Sequence, residues 1–193
     1  MSQITELLNQ ANDGDQKAVE QLMQQLYGEL KQLAVYQFAH ERREHSLQPS
    51  ALVNEAYLRL ISRDGQLQTF ENRAHFFSSA AEAMRRILVD SARRRNSLRR
   101  GGQHCRQDLD DAADITALAP DVLLDLDEGL RRLAEVDEVS AELIKLRVFA
   151  GLSVTEAGKL LGISRSAAYQ NWQFARSWFA VFFNHNASSV DDV

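Results

Sequence analysis

Apolar residues return every three or four positions along almost the whole chain, the period of helices that each bury one face. The pattern predicts a short helix near Ser2–Gln10 and a longer one from Asp15, a capping residue, to Ala39. A third helix is predicted over Pro49–Ser62 and a long fourth over about Ala74–Arg95. Four more follow over 121–135, 138–149, 154–161 and 165–183. The two prolines, Pro49 and Pro120, each stand at the start of a periodic run, where a missing N–H is harmless. No segment sustains the period-two alternation of a strand. The expected fold is therefore all-α.

The periodicity lapses between residues 101 and 119, "GGQHCRQDLDDAADITALA", where paired glycines precede a run of acids. A loop that long is unusual inside one domain. The chain thus divides into a helical domain over 1–100, a flexible acidic linker over 101–119, a second helical domain over 120–184 and a frayed polar tail over 185–193.

Near the C-terminus two amphipathic runs almost touch. Ser153 and Glu156 form a capping box for the first, Gly162 permits a sharp turn, Ile163 can plug the corner, and Ser164 caps the second. On the second helix Ala168, Trp172, Ala175, Phe179 and Phe182 share an apolar face. Ser166, Gln170, Gln173 and Ser177 lie opposite, flanked by Ala167, Asn171 and Phe174. A helix-turn-helix lays such a face in the major groove, where amides pair with adenine and a methyl meets thymine. A plain helical hairpin with a solvated face is the competing reading.

Charge sharpens the contrast between the halves. The net charge of −5 conceals 15 Lys/Arg against 12 Asp/Glu in residues 1–106, and 7 against 15 in residues 107–193. Eight arginines, Arg85, Arg86, Arg93, Arg94, Arg95, Arg99, Arg100 and Arg106, fall within 22 residues. Such a stripe either binds a polyanion or forms a solvated helix face. Met84, Ile87, Leu88, Ser91 and Ala92 are expected to face inward there, with Arg86, Asp90, Arg93 and Arg94 outward.

Composition narrows the class. With 45% hydrophobic and 25% charged residues, the chain matches ordinary globular domains. It contains no apolar run long enough to span a membrane, and "MSQITELLNQ" lacks the basic start and apolar core of an export signal. Cys105, the only cysteine, cannot form an internal disulfide, so the expected compartment is the reducing cytoplasm. "HERREH" superficially suggests a metalloprotease. Its His40 and His45 stand five apart, about 140° out of register on a helix, so no metal site is expected. No nucleophile–base arrangement or phosphate-cradling loop is present. No enzyme activity, catalytic residue or cofactor is expected.

Taken in order, "ALVNEAYLRL" (51–60), "RAHFFSSAAEAMRRILVDSARRR" (73–95) and "LIKLRVFAGLSVTEAGKLLGISRSAAYQNWQFAR" (143–176) resemble bacterial sigma factors of the extracytoplasmic-function (ECF) type, promoter-specificity subunits of RNA polymerase. The resemblance runs from Ile4 to Phe182. It implies that residues 1–100 form a region 2-like domain and residues 120–184 a region 4-like domain. Leu52, Val53, Asn54, Glu55, Tyr57 and Leu58 would dock on the clamp of the polymerase β′ subunit. Arg73, Phe76, Phe77, Arg86, Arg93 and Arg94 would recognise and open the −10 element. Arg165, Ser166, Ala167, Gln170, Asn171 and Gln173 would read the −35 element, with the β flap as neighbour.

The implied partners are core RNA polymerase and promoter DNA, with no membrane; an anti-sigma factor is a further partner that the resemblance leaves open. The linker would thread towards the polymerase active centre, or serve only as a tether. Two departures stand out. Ala51 replaces a usual acid, and Tyr169, Gln170 and Asn171 stand where the family often carries basic residues. A conventional helix-turn-helix regulator and a helical adaptor without DNA contact are the rival functions.

Overall fold

Short polar side chains mark where the helices begin. Asp15 Oδ1 accepts the backbone N–H of Lys17 at 2.9 Å, Asn72 Oδ1 that of His75 at 2.9 Å, and Asp137 Oδ1 that of Ser140 at 3.0 Å. Each satisfies one of the amide groups that a first helical turn leaves without a partner. The bonds that Asp137 accepts from Ser140, backbone first and then hydroxyl, hold its carboxyl below the usual range.

The computed structural model describes residues 3–37, 49–60, 70–98 and 119–188. All elements among them are helices: α1 (Gln3–Asn12), α2 (Gln16–Gln37), α3 (Pro49–Leu60), α4 (Arg73–Leu98), α5 (Pro120–Val136), α6 (Glu138–Ala150), α7 (Val154–Leu160) and α8 (Arg165–Ser188). The all-α expectation holds, and both prolines take the first helical position. The last helix runs past the expected end at 183 through Ser188, so residues 185–188 are helical where a frayed tail was expected. The 40–45 histidine segment and residues 99–118, which include most of the expected linker, lie outside the described residues.

α4 is the spine. At 26 residues it is about 39 Å long. α3 and α1 pack on it from the N-terminal half, α5 and α6 from the C-terminal half. α6 is the second hub and touches α5, α7 and α8. The core is continuous between the halves, from Leu8, Leu22, Leu52 and Phe70 through Met84 and Ile87 to Leu143, Phe149 and Phe179. The expectation of two helical sets is thus joined by an observation that periodicity does not contain: the sets share α4 as a wall.

Small residues permit this. Ala80, Ala81, Ala83 and Ala92 are buried along α4, where they allow close approach at little conformational cost. Farther on, Gly129 of α5 faces Phe179 of α8 so tightly that a Cβ would lie 2.4 Å from the ring.

Ion pairs cross between the halves. Arg85 of α4 donates to the carboxylate of Asp127, which is 4% exposed on α5. Lys145 of α6 lies 3.9 Å from Glu82 of α4. Burial by itself would raise the Glu82 carboxyl. Hydrogen bonds from Arg85 and Arg86, with the charges of Arg85 and Lys145, outweigh burial and hold it at about 2.

A carboxyl depressed on folding adds stability above its unfolded value, and that stability fades as pH falls through the folded one. Glu82→Gln should therefore lose about 2 kcal/mol at neutral pH, the scale of hydrogen bonds to a charged group. Its deficit against wild type should shrink as pH falls from about 4.5 to about 2. Urea denaturation over a pH series checks this; a deficit constant across that window would contradict it.

Candidate nucleic-acid interface

α7 and α8 are held together by caps and by the absence of side chains. Ser153 Oγ accepts the N–H of Glu156 at 3.2 Å, and Glu156 Oε2 accepts the N–H of Ser153 at 2.9 Å, completing the capping box. The Glu156 carboxyl is lowered, first by its hydrogen bonds with Ser153. Gly162 turns the chain with φ of 70°, and Ser164 Oγ accepts the N–H of Ala167 at 3.1 Å. Gly158, which the sequence reading passed over, sits against α8: a Cβ there would come within 2.5 Å of the Ala168 Cβ.

This clamp fixes the rotation of α8. Ala168, Trp172, Ala175, Phe179 and Phe182 are buried as their spacing predicts. The Arg147 guanidinium covers the Trp172 ring at 4.5 Å from its centroid. Arg165, Ser166, Gln170 and Gln173 are exposed, whereas Ala167 and Asn171 are half-buried at the flanks. The Asn171 carbonyl accepts from Ser140 Oγ at 3.5 Å, which ties the helix back to α6.

Two exposed aromatics, Tyr169 and Phe174, border this polar face. Arg165 stacks over Tyr169 at 5.7 Å. Hydrogen bonds with Thr155 and then with Arg165 lower the Tyr169 hydroxyl below its usual value.

The α4 residues divide. Arg86, Arg93 and Arg94 are exposed. Arg86 is paired with Glu82 at 2.7 Å, and Arg93 lies 3.8 Å from Asp127. Phe76 and Phe77 are enclosed in the core, 1% and 0% exposed, edge to face at 5.5 Å, with Phe70 against Phe76 at 5.3 Å. Neither ring offers an exposed face on which a base could stack. Arg73 places its guanidinium 5.1 Å from the Phe77 centroid, and its charge reaches Glu156 of α7.

On α3, Leu52 and Val53 are likewise buried in the core with Ala56 and Leu60. The remaining four form the outer surface. Leu58 is 66% exposed near its centre. Asn54 accepts the Tyr27 hydroxyl at 2.5 Å, and Tyr57 meets the Tyr27 ring edge to face at 5.9 Å. Glu55 pairs with Arg59 at 3.2 Å, and Arg59 also lies 3.7 Å from Asp90 on α4.

Sequence reading missed the partners of the stripe. Asp127 falls on the same stripe of α5 as Leu123, Leu126, Leu130 and Leu133, and an acid at a core position was the available signal. Among the described residues no group of three or more His, Cys, Asp or Glu is arranged to hold a metal, and no helix is long and apolar enough to cross a membrane.

The described residues are all helical, and the capped pair α7–α8 presents a polar face. The ECF sigma factor family model matches residues 1–185, and the chain belongs to that family. It is a sigma factor with a role in transcription initiation, of a family that acts with core RNA polymerase and promoter DNA. No curated protein and no solved structure matches it.

Gly158→Ala should destabilise the chain by about 1–3 kcal/mol, because the added methyl meets a neighbouring Cβ and the helices must part. Gly162→Ala meets no atom but carries its side chain at positive φ, at about 1 kcal/mol. Thermal denaturation of both variants checks the order: equal stabilities would remove the close approach as a constraint.

Proposed function

We propose that this chain directs core RNA polymerase to specific promoters and assists their opening, as a dissociable cytoplasmic subunit without catalytic activity of its own. The observation that carries the reading is the exposed face of α8, with Ser166, Gln170 and Gln173 outward on a helix whose opposite side is locked to α6 and α7. A rigidly mounted polar helix can place amides at base edges, where a bidentate pair discriminates by about 1–3 kcal/mol. In this reading residues 120–184 read the −35 element beside the β flap. Arg165 meets phosphate, and Ala167 and Asn171 contribute at the flanks.

Residues 1–100 dock on the β′ clamp through the outer side of α3, where Leu58 is the apolar centre and Asn54, Glu55 and Tyr57 surround it. Arg86, Arg93 and Arg94 hold phosphates at the −10 element, with Arg73 at the head of the same helix. Phe76 and Phe77 stiffen that helix from within. Residues 101–119 tether the two binding surfaces, and an anti-sigma factor would compete for one of them.

The test is reconstitution with core polymerase. The wild-type chain should form a stoichiometric complex that starts transcription from a cognate promoter without another sigma factor. Leu58→Asp and Glu55→Lys should each weaken that complex at least about tenfold while helicity is kept. Undiminished binding by both folded variants would show that α3 is not the docking face. A chain that binds promoter DNA but never polymerase would instead be a conventional regulator.

For the −35 contact, Gln170→Ala should relax selectivity at one base position. Arg165→Ala should weaken binding to all sequences alike. A randomised promoter library separates the two, and an unchanged preference for Gln170→Ala would remove that residue from base reading.

A further inference from the structure

The outer surface of α3 is braced on both sides, and the two braces differ in kind. Towards α4, Glu55 and Arg59 form a charged pair that Asp90 extends, 3.7 Å from the Arg59 guanidinium. Towards α2, one residue holds two. Tyr27 is half-buried against the core. Its hydroxyl donates to Asn54 Oδ1 at 2.5 Å, and its ring meets Tyr57 edge to face at 5.9 Å. Asn54 and Tyr57 stand three apart and so share one side of the helix. Leu58, 66% exposed, falls between the two braced edges.

A carboxamide has an acceptor end and a donor end. With Oδ1 taken by Tyr27, the Asn54 nitrogen and its two hydrogens are left for whatever lies outside. Asn54 is exposed, and an unheld side chain there would turn freely between presenting its oxygen and its nitrogen. The bond from α2 removes that choice before any partner arrives. A side chain ordered in advance spares the complex the entropy of ordering it on contact.

We propose that Tyr27 is a positioning residue for the outer face of α3. It fixes Asn54 as a hydrogen-bond donor, so the group that faces Asn54 on the polymerase is an oxygen acceptor. The inference rests on the reading of α3 as the docking helix. It adds to that reading a residue of another helix, 27 positions away, and a polarity for the contact.

The experiment uses the full chain and core polymerase. Tyr27→Phe keeps the ring beside Tyr57 and removes only the hydroxyl. It should weaken the complex about threefold, mainly through faster dissociation. Asn54→Ala should weaken it about tenfold, and Tyr27→Phe added to that variant should lower affinity no further, because the hydroxyl acts through the amide alone. A Tyr27 that only supported the fold would weaken both backgrounds equally. Asn54→Asp still accepts from Tyr27 but turns an oxygen outward in place of the donor, so it should bind worse than Asn54→Ala.

In the free chain, nitrogen relaxation of the Asn54 side-chain amide should report a fixed group that Tyr27→Phe sets loose. Unchanged binding by Tyr27→Phe, additive losses in the double variant, or an amide equally mobile with and without the hydroxyl would each overturn the proposal. So would Asn54→Asp binding as tightly as wild type, an arm that decides even if Tyr27→Phe does not fold. Undiminished binding by Leu58→Asp would remove α3 as the docking face altogether. A weakened Leu58→Asp beside an unaffected Tyr27→Phe would remove the role of Tyr27 alone.

Discussion

Asp127 lies on the apolar stripe of α5, where a charged carboxylate needs a cation at hydrogen-bond distance, and Arg131 of its own helix comes only within 3.9 Å. Arg85 supplies that cation from α4. The pairing sets the rotation of α4 about its own axis and its register along α5. The rest of the spine follows from that placement. Glu82, one turn earlier, arrives beside Lys145 of α6, while Met84, Ile87 and Leu88 turn into the core. Apolar contact supplies the larger part of the attraction between the halves, but it is indifferent to sliding. The ion pairs discriminate between registers, because a displaced Asp127 would keep only Arg131 of its own helix, 3.9 Å away.

α4 therefore has two duties along one length. Its first turns bury Phe76 and Phe77, which pack edge to face with each other and with Phe70. Its later turns carry guanidiniums, of which Arg86, Arg93 and Arg94 are exposed. Around Arg85 these duties meet, since this residue belongs to the basic cluster and to the interface at once.

The opposite end of the molecule shows a different strategy. α7 and α8 are fixed relative to each other by geometry more than by charge: a reciprocal cap at Ser153 and Glu156, a left-handed glycine at 162, and the missing Cβ of Gly158. Such a joint leaves the outward face of α8 free of structural obligations. Tyr169 and Gln170, both exposed, can then stand where the resemblance leads one to expect basic residues without loss of fold.

All eight helices among the described residues, both proline starts, the Ser153–Glu156 capping box and the buried face of α8 were legible in the residue pattern, because each is governed by neighbours within about one or two turns. The family too was legible, since it resides in the order of local motifs, and the match over residues 1–185 agrees with it. Which side of a helix finds a partner is another matter. Leu52, Val53, Phe76 and Phe77 have residue types that serve equally in a core or at a docking surface, and only the packing of α1, α3 and α4 assigned them to the core. The joining of Arg85 to Asp127 spans 42 positions of chain, and no periodicity within either helix encodes a distance of that kind. Local patterns specify what each helix can bury. The tertiary structure decides which charges must be buried with it, because an ion's stability depends on groups that only the folded chain brings near.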